Sequence, residues 1–147
     1  MKWLLDTNVL SETIRPRPDR VVISWVERQP LEDFGISIIT MAELQEGLES
    51  AAEERKGHLM RWLNNTVVPS FGERTLPLSE AVLIEWIRIS RALAAERMTR
   101  KAADLLIAAT ARVHGMIVVT RDVRDFMPTG VVVYNPWTGS THNTDRQ

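Results

Sequence analysis

Short, continuously apolar segments alternate along this chain with longer segments of helical periodicity. The β-branched runs Met116–Thr120 and Val131–Tyr134 are predicted strands, and three further short strands are predicted at Lys2–Leu5, Gly35–Ile39 and Thr75–Leu78. A strand that is apolar on both faces must be covered on both faces, which favours a parallel sheet between two layers of helices. The sequence therefore predicts an α/β fold with three layers, α/β/α, and a central parallel sheet of about four to five strands.

The helices between these strands have recognisable ends. In chain order, the predictions are an N-cap at Asp19, a start at Thr40, an end at Asn64-Asn65, a start at Ser79 and an end at Gly115. Ser79–Arg97 has the apolar stripe of an amphipathic helix. Arg100–His114 is helical up to Gly115, because glycine readily adopts the left-handed conformation that terminates a helix.

The composition is that of one globular domain: 147 residues, 44% hydrophobic and 25% charged. We assign residues 1–137 to this domain and residues 138–147 to a polar, flexible C-terminal tail. The absence of cysteine excludes a disulfide framework and fits a cytoplasmic protein. Asp6 interrupts the N-terminal apolar run after three residues, so no signal peptide is predicted. No segment approaches the roughly 18 apolar residues that a membrane span needs.

Four acidic residues lie where predicted elements begin or end, each beside apolar residues of the predicted core. They are Asp6, Glu43, Asp104 and Asp122. A carboxylate in such a place is costly to bury unless something pairs with it. No lysine or arginine stands at a regular spacing beside all four, so one shared divalent cation would explain the set. Asp6 and Asp122 also follow predicted strands, and ligands of parallel sheets bind at the carboxyl ends of the strands.

Each acid also has a purely structural explanation. Asp6 could cap the helix that follows it, and Asp104 could complement the dipole of the helix in whose first turn it lies. Glu43 stands three residues after Thr40 in a T-x-x-E capping box, in which its side chain would reach back to the Thr40 amide. Local sequence patterns alone do not distinguish a capping role from a site role for Glu43. Glu46 is a nearby alternative for the site role.

Five segments resemble, in order, the motifs of PIN-domain ribonucleases, and most of all the FitB-like branch of the VapC-type toxins of bacterial toxin–antitoxin pairs. The segments are Leu4–Glu12, Ile39–Leu44, Ala103–Ala111, Val119–Asp122 and Val133–Trp137. One such motif would be a weak signal, but five in the right order are specific, and they extend over nearly the whole chain. The resemblance implies a PIN-like fold and a metal-dependent hydrolysis of RNA phosphodiester bonds by activated water, without a covalent intermediate.

The resemblance also implies which acids are functional. The implied catalytic acids, which are also the implied metal ligands, are Asp6, Glu43, Asp104 and Asp122, with Asp6 and Asp104 as the leading metal ligands. Carboxylate oxygens select hard cations, so Mg²⁺ or Mn²⁺ is the expected cofactor. The fourth acid stays open, because VapC-type relatives outside the FitB-like branch carry it later, where this chain has Asp125. Whether one or two ions act also stays open.

Several polar neighbours could support these acids. Asn8 and Thr120 could orient a carboxylate or a water, or could equally serve in a cap or a turn. The net charge of −1 does not indicate a nucleic-acid binder. Most of the positive charge is arginine, however, whose planar fork suits phosphate. The arginines nearest the predicted edge of the sheet are Arg15, Arg17, Arg121 and Arg124.

The resemblance further implies partners: an RNA substrate, a second copy of the chain in a homodimer, and a cognate VapB-type antitoxin in a toxin–antitoxin hetero-oligomer. The antitoxin would wrap an apolar groove and approach the active site, and no membrane association is expected. The alternative function is a non-catalytic RNA- or protein-binding module on a PIN fold, which the presence of all four acids does not favour. A phosphotransferase with Asp6 as nucleophile would need a second aspartate where this chain has Asn8.

Overall fold

The computed structural model describes residues 1–144. Strands and helices alternate in it as the sequence predicts. In chain order they are β1 (Trp3–Leu5), α1 (Thr7–Thr13), α2 (Arg20–Arg28), β2 (Phe34–Ser37), α3 (Ile38–Glu49), α4 (Glu53–Trp62), α5 (Val68–Phe71), β3 (Thr75–Leu76), α6 (Glu80–Ala95), α7 (Ala102–His114), β4 (Ile117–Val119), α8 (Val123–Phe126), β5 (Val133–Asn135) and β6 (Ser140–His142).

The strands form a six-stranded sheet in the order β3-β2-β1-β4-β5-β6. Strands β1 to β5 pair in parallel, and β6 pairs antiparallel to β5. At the centre, Leu4 of β1 lies opposite Gly35 of β2 on one side and Val118 of β4 on the other. The predicted α/β class with a central parallel sheet is confirmed, and the sheet is slightly larger than the four to five strands predicted.

The two faces of the sheet bury two separate hydrophobic clusters. Leu4 and Val118 belong to one cluster, together with Phe126 of α8 and apolar residues of α6 and α7. Trp3 and Leu5 belong to the other, with apolar residues of α1 to α5. Successive residues of β1 therefore alternate between the clusters, as the pleat of a strand requires. Helices cover both faces, which is the predicted three-layer arrangement.

The third helix begins earlier than the sequence predicts. Strand β2 ends at Ser37, whose hydroxyl oxygen accepts a hydrogen bond of 3.1 Å from the Ile39 amide and caps α3. Ile38 and Ile39 form the first turn of the helix rather than the end of the strand, so Thr40 lies within the helix and is buried. The predicted start at Thr40 is wrong, and with it the capping box that would have occupied Glu43.

The helix predicted to end at Asn64-Asn65 also continues further. A π-helical turn, Leu63–Val67, connects α4 to α5. Leu63 and Val67 are buried in the cluster below α1 to α5, and this burial outweighs the poor helix propensity of the asparagines. In the part of the chain that the structure describes, no helix combines the length and the apolar character that crossing a membrane requires.

The predicted C-terminal tail is in part a strand. Ser140–His142 form β6, which follows a turn in which Gly139 has a φ of 72°. The carbonyl oxygen of Asn135 accepts hydrogen bonds from the amides of Thr138 and Gly139 and closes this turn. The boundary predicted at residue 137 therefore falls inside the β5–β6 hairpin, because backbone pairing rather than composition orders the segment. Residues 145–147 of the predicted tail lie outside the described residues.

Candidate active site

Asp6 lies at the centre of the sheet edge where the parallel strands end. Its amide donates a 3.0 Å hydrogen bond to the carbonyl of Val119, which ties the end of β1 to the end of β4. The side chain is only 6% exposed, and its Oδ1 accepts a 2.8 Å hydrogen bond from the Thr7 amide. Asp6 is also the N-cap residue of α1. Capping and a site role are therefore compatible for this residue.

Thr120 and Asn8 connect Asp6 to Asp122. The Thr120 hydroxyl donates a 2.7 Å hydrogen bond to Asp6 Oδ2 and accepts a 3.0 Å hydrogen bond from the Asp122 amide. The Asn8 amide nitrogen lies 3.1 Å from the Thr120 hydroxyl, 3.2 Å from Asp122 Oδ2 and 3.4 Å from Asp6 Oδ2. Thr120 and Asn8 thus hold the carboxylates of Asp6 and Asp122 next to each other, which is the orienting role considered for them.

Glu43 reaches the same place from α3. The Thr7 hydroxyl donates a 2.9 Å hydrogen bond to Glu43 Oε1. Because Ser37 caps α3, Glu43 has no capping duty there, and its carboxylate is directed toward the start of α1 instead. The substitute candidate, Glu46, is exposed and accepts a hydrogen bond from the Ser50 hydroxyl at the far end of α3.

Asp104 completes the group of acids from the first turn of α7, where it is half-buried. Burial raises its pKa from 3.8 to about 6, and the charges of Asp125, Glu43 and Asp122 add to this increase, opposed by Lys101. Burial likewise raises the pKa of Asp6 from 3.8 to about 6. Hydrogen bonds from Thr120 and Thr7 oppose that rise, and the charges of Glu43 and Asp104 add to it. The acids are thus close enough to repel one another.

Asp122 and Asp125 are both coupled to the site, in different ways. Asp122 is joined to Asp6 through Asn8, whereas the charge of Asp125 raises the pKa of Asp104 more than that of Asp122 does. Asp125 is also the more buried of the two aspartates. Both therefore belong to the electrostatic surroundings of the site.

The chemistry of these side chains fits a hard divalent cation. The donors are carboxylate, amide and hydroxyl oxygens, which Mg²⁺ and Mn²⁺ prefer. Within residues 1–144, the ion pairs found do not neutralise any of the acids. No three acidic or histidine side chains of that range are grouped tightly enough to hold an ion as they stand. A bound cation would have to draw the carboxylates together. It would offset the burial, and the smaller mutual repulsion, that raise the pKa values of Asp6 and Asp104.

The predicted arginines have different surroundings. Arg121 and Arg15 line a cavity of about 450 Å³ beside the acids, and the Arg121 guanidinium lies 5.3 Å from the centre of the Trp137 ring. Arg124 lines a second cavity next to the first. Arg17 lies in a third cavity that none of the four acids lines. Three of the four predicted arginines are thus near the site.

Two supporting residues were not predicted from the sequence. One is Thr7, the hydroxyl donor to Glu43 described above, which directly follows Asp6. The other is Glu12, a buried residue of α1 that accepts a 2.7 Å hydrogen bond from the Asp19 amide and lies 3.3 Å from Arg15 Nη1. Glu12 therefore anchors the loop that carries Arg15. Its signal in the sequence is an acid on the apolar face of a helix, three residues before an arginine.

Residues 3–127 match the model of the PIN domain. The chain belongs to the PIN-domain family. It is 38% identical over 135 residues to Toxin FitB of Neisseria gonorrhoeae, in an alignment that covers 91% of this chain and 97% of FitB. It is 36% identical over 135 residues to the VapC ribonuclease Y4jK of Sinorhizobium fredii, covering 91% and 96% of the two chains.

A solved structure agrees with this assignment. The structure of FitAB bound to an IR36 DNA fragment superposes with a TM-score of 0.86, at 36% identity and over 99% of both chains. The predicted family and the predicted similarity to FitB and VapC are therefore confirmed. In this PIN domain, hydrogen bonds from Asn8 join Asp6 to Asp122, and the charges of Glu43, Asp122 and Asp125 act on Asp104.

Proposed function

We propose that this PIN-domain protein is a metal-dependent ribonuclease and acts as the toxin of a VapBC-type toxin–antitoxin system. The observation that carries the proposal is the hydrogen-bonded and electrostatically coupled group of acids at the carboxyl edge of the sheet. Similarity to a protein named Toxin FitB and to a VapC ribonuclease supports both parts of it. The reaction is hydrolysis of an RNA phosphodiester bond by water, and the proposed location is the cytoplasm, where cellular RNA is the substrate.

Mg²⁺ or Mn²⁺, when bound, supplies the Lewis acidity that activates water and stabilises charge on the phosphate. Asp6 and Asp104 are the leading ligands, because burial and mutual repulsion make them the acids that most need a cation. Glu43 is held in place by the Thr7 hydroxyl. The fourth acid is Asp122 in this proposal, with Asp125 as the alternative. The hydrogen bonds of Thr120 and Asn8 keep the carboxylates oriented while the phosphate enters.

The proposed partners are a VapB-type antitoxin, a second copy of the chain, and RNA. The 450 Å³ cavity beside the acids is a suitable groove for the antitoxin. Its lining includes the apolar residues Leu44, Leu48, Leu59 and Trp62. A similar solved structure is that of FitAB bound to DNA, which supports a toxin–antitoxin hetero-oligomer here. The homodimer is proposed from the resemblance to VapC-type toxins.

Incubation of purified protein with total cellular RNA tests the proposal. With Mg²⁺ or Mn²⁺ we expect new RNA ends, detected by end sequencing, and we expect excess chelator to remove them. Asp104→Asn should form the same complexes with RNA but produce few new ends. Cleavage that persists in chelator would refute the metal mechanism. Metal-independent RNA binding without any cleavage, in cells or in solution, would favour the non-catalytic binding module.

Glu43→Gln separates chemistry from helix capping. The glutamine can still accept the Thr7 hydrogen bond, and Ser37 still caps α3, so we expect a melting temperature close to that of the wild type. Loss of the charge should reduce RNA cleavage about 100-fold, because a neutral amide is a poor ligand for a hard cation. Glu46→Gln, on the same helix but exposed, is the matched control. Equal activity of Glu43→Gln and Glu46→Gln would remove Glu43 from the site.

A further inference from the structure

A second cavity, of about 660 Å³, shares Arg121 with the cavity that Glu43 lines. We call it the α8–β6 groove, and it is lined by residues 121–125, Asn135, Thr138, Ser140 and His142. Its size falls within the roughly 300–1,000 Å³ of ligand pockets. The β5–β6 hairpin forms one of its walls, and β6 lies in the segment that the sequence predicts as a flexible tail.

The register of β6 directs His142 into this groove. In the antiparallel pair, His142 lies opposite Val133, and Ser140 lies opposite Asn135. Residues directly opposite each other in such a pair project from the same face of the sheet. Val133 packs in the cluster that also contains Phe126 of α8, so His142 and Ser140 are on the α8 face.

Hydroxyl groups hold the imidazole in place. His142 Nε2 lies 2.9 Å from the Ser140 hydroxyl oxygen, which in turn lies 2.6 Å from the hydroxyl oxygen of Thr138. The ring is half-buried, so one part of it stays accessible from the groove. A flat ring held by a row of hydroxyl groups is a surface on which a planar ligand can stack while its polar edge forms hydrogen bonds.

The charge of the groove favours a nucleotide base over a bare phosphate. Two arginines, Arg121 and Arg124, are balanced by two aspartates, Asp122 and Asp125. Arginine side chains attract an isolated phosphate most strongly where neighbouring carboxylates do not cancel their charge. An RNA base instead presents donors and acceptors along one edge and a flat face. Guanidinium, carboxylate, hydroxyl and imidazole groups are the partners that unpaired bases take.

The groove is also contiguous with the acids. Asp122 and Asp125 line it, and the charges of both act on Asp104. We infer that the α8–β6 groove binds one unpaired RNA nucleotide next to the scissile phosphate, and that His142 is the residue that positions its base. The inference rests on the proposed ribonuclease function and adds a subsite that sets sequence preference.

A randomised pool of short single-stranded RNAs, cleaved by the full-length protein with Mn²⁺, tests this role. The wild type should prefer one base at a position flanking the cleavage site. His142→Ala should lose that preference and raise KM about tenfold, as expected when one base loses its aromatic stacking partner. Its kcat should stay within about twofold, because the acids are untouched. His142→Phe keeps a flat ring and should recover most of the KM.

The matched control is His114→Ala, which removes an exposed histidine at the end of α7. His114→Ala should behave as the wild type does, and thermal melting should show that both alanine variants are folded. An unchanged base preference and KM in folded His142→Ala would overturn the inference while leaving the nuclease proposal intact. If His142→Ala fails to fold, Ser140→Ala and Thr138→Val replace it, because they remove the hydroxyl groups that hold the imidazole ring. Base preference and KM are then measured in these two variants.

A second measurement does not depend on cleavage. In nuclear magnetic resonance titrations of the Asp104→Asn variant with the four nucleoside 5′-monophosphates, the imidazole resonances of His142 should shift, and should shift more with one base than with the others. The imidazole resonances of His114 should not shift with any of the four nucleotides. Absence of any selective shift at His142 with all four nucleotides would refute the subsite, even if the wild type proves not to be a nuclease.

Discussion

Asp6→Asn is expected to reduce RNA cleavage at least 100-fold, which corresponds to about 3 kcal/mol of transition-state stabilisation. Asp6 is the most buried of the four candidate site acids, and its two side-chain oxygens accept hydrogen bonds from the Thr120 hydroxyl and the Thr7 amide. Asparagine is nearly isosteric and can still accept one of these hydrogen bonds, so the variant should fold. Expression of the wild-type chain without an antitoxin should arrest growth, and expression of Asp6→Asn should not.

The control for this result is Asp19→Asn. Asp19 is also an N-cap aspartate, since its Oδ1 accepts a 2.9 Å hydrogen bond from the Val21 amide, but it lies at the start of α2. If Asp6 acts only as a cap, the two variants should lose similar amounts of stability and none of the activity. A folded Asp6→Asn protein that cleaves RNA as fast as Asp19→Asn does would rule out Asp6 as a metal ligand.

The stability of the metal-free protein should fall as the pH rises from about 4 to 7. Asp6 and Asp104 have pKa values near 6 in the folded chain against 3.8 when unfolded, so the folded state binds protons more tightly. The contribution of these two groups to the free energy of unfolding is complete below pH 3.8, and it is lost as the pH rises through 6. For Asp6 the loss in the free energy of unfolding is about 3 kcal/mol. Asp104 is more exposed, and solvent screening makes its share smaller.

Divalent metal should reverse this loss. Mn²⁺ at millimolar concentration binds the folded state and should raise the melting temperature at pH 7 by several degrees. Asp104→Asn should make the metal-free protein more stable at pH 7 and reduce the increment from Mn²⁺. Calorimetric unfolding in chelator and in Mn²⁺, at several pH values, measures both effects. A flat pH profile together with no Mn²⁺ binding would contradict a shared metal site.

Local rules accounted for much of this fold. The parallel sheet followed from strands that are apolar on both faces, and the helix ends at Asp19 and Gly115 are as predicted. Asp19 caps α2 through its side chain, and Gly115 adopts a φ of 63°. The errors arose where packing overrides propensity. Ile38 and Ile39 are β-branched and favour a strand, but the cap at Ser37 makes them the first turn of α3.

The candidate acids could also be identified from the sequence, because each stands in a motif that resembles the PIN-domain family. Asp6, Asp104 and Asp122 lie at or near the starts of helices, whereas Glu43 lies in the middle of α3. The contacts that each acid makes could not be predicted from the sequence. The Thr120 hydroxyl reaches Asp6 across 114 positions of the chain, and the Thr7 hydroxyl reaches Glu43 across 36. Such contacts exist only because β1, β4 and α3 meet at one edge of the sheet. Local sequence therefore indicated the candidate acids and several of the element ends. Tertiary packing decided which acids repel one another, which hydroxyl groups donate hydrogen bonds to them, and that His142 lines a cavity with Asp122 and Asp125.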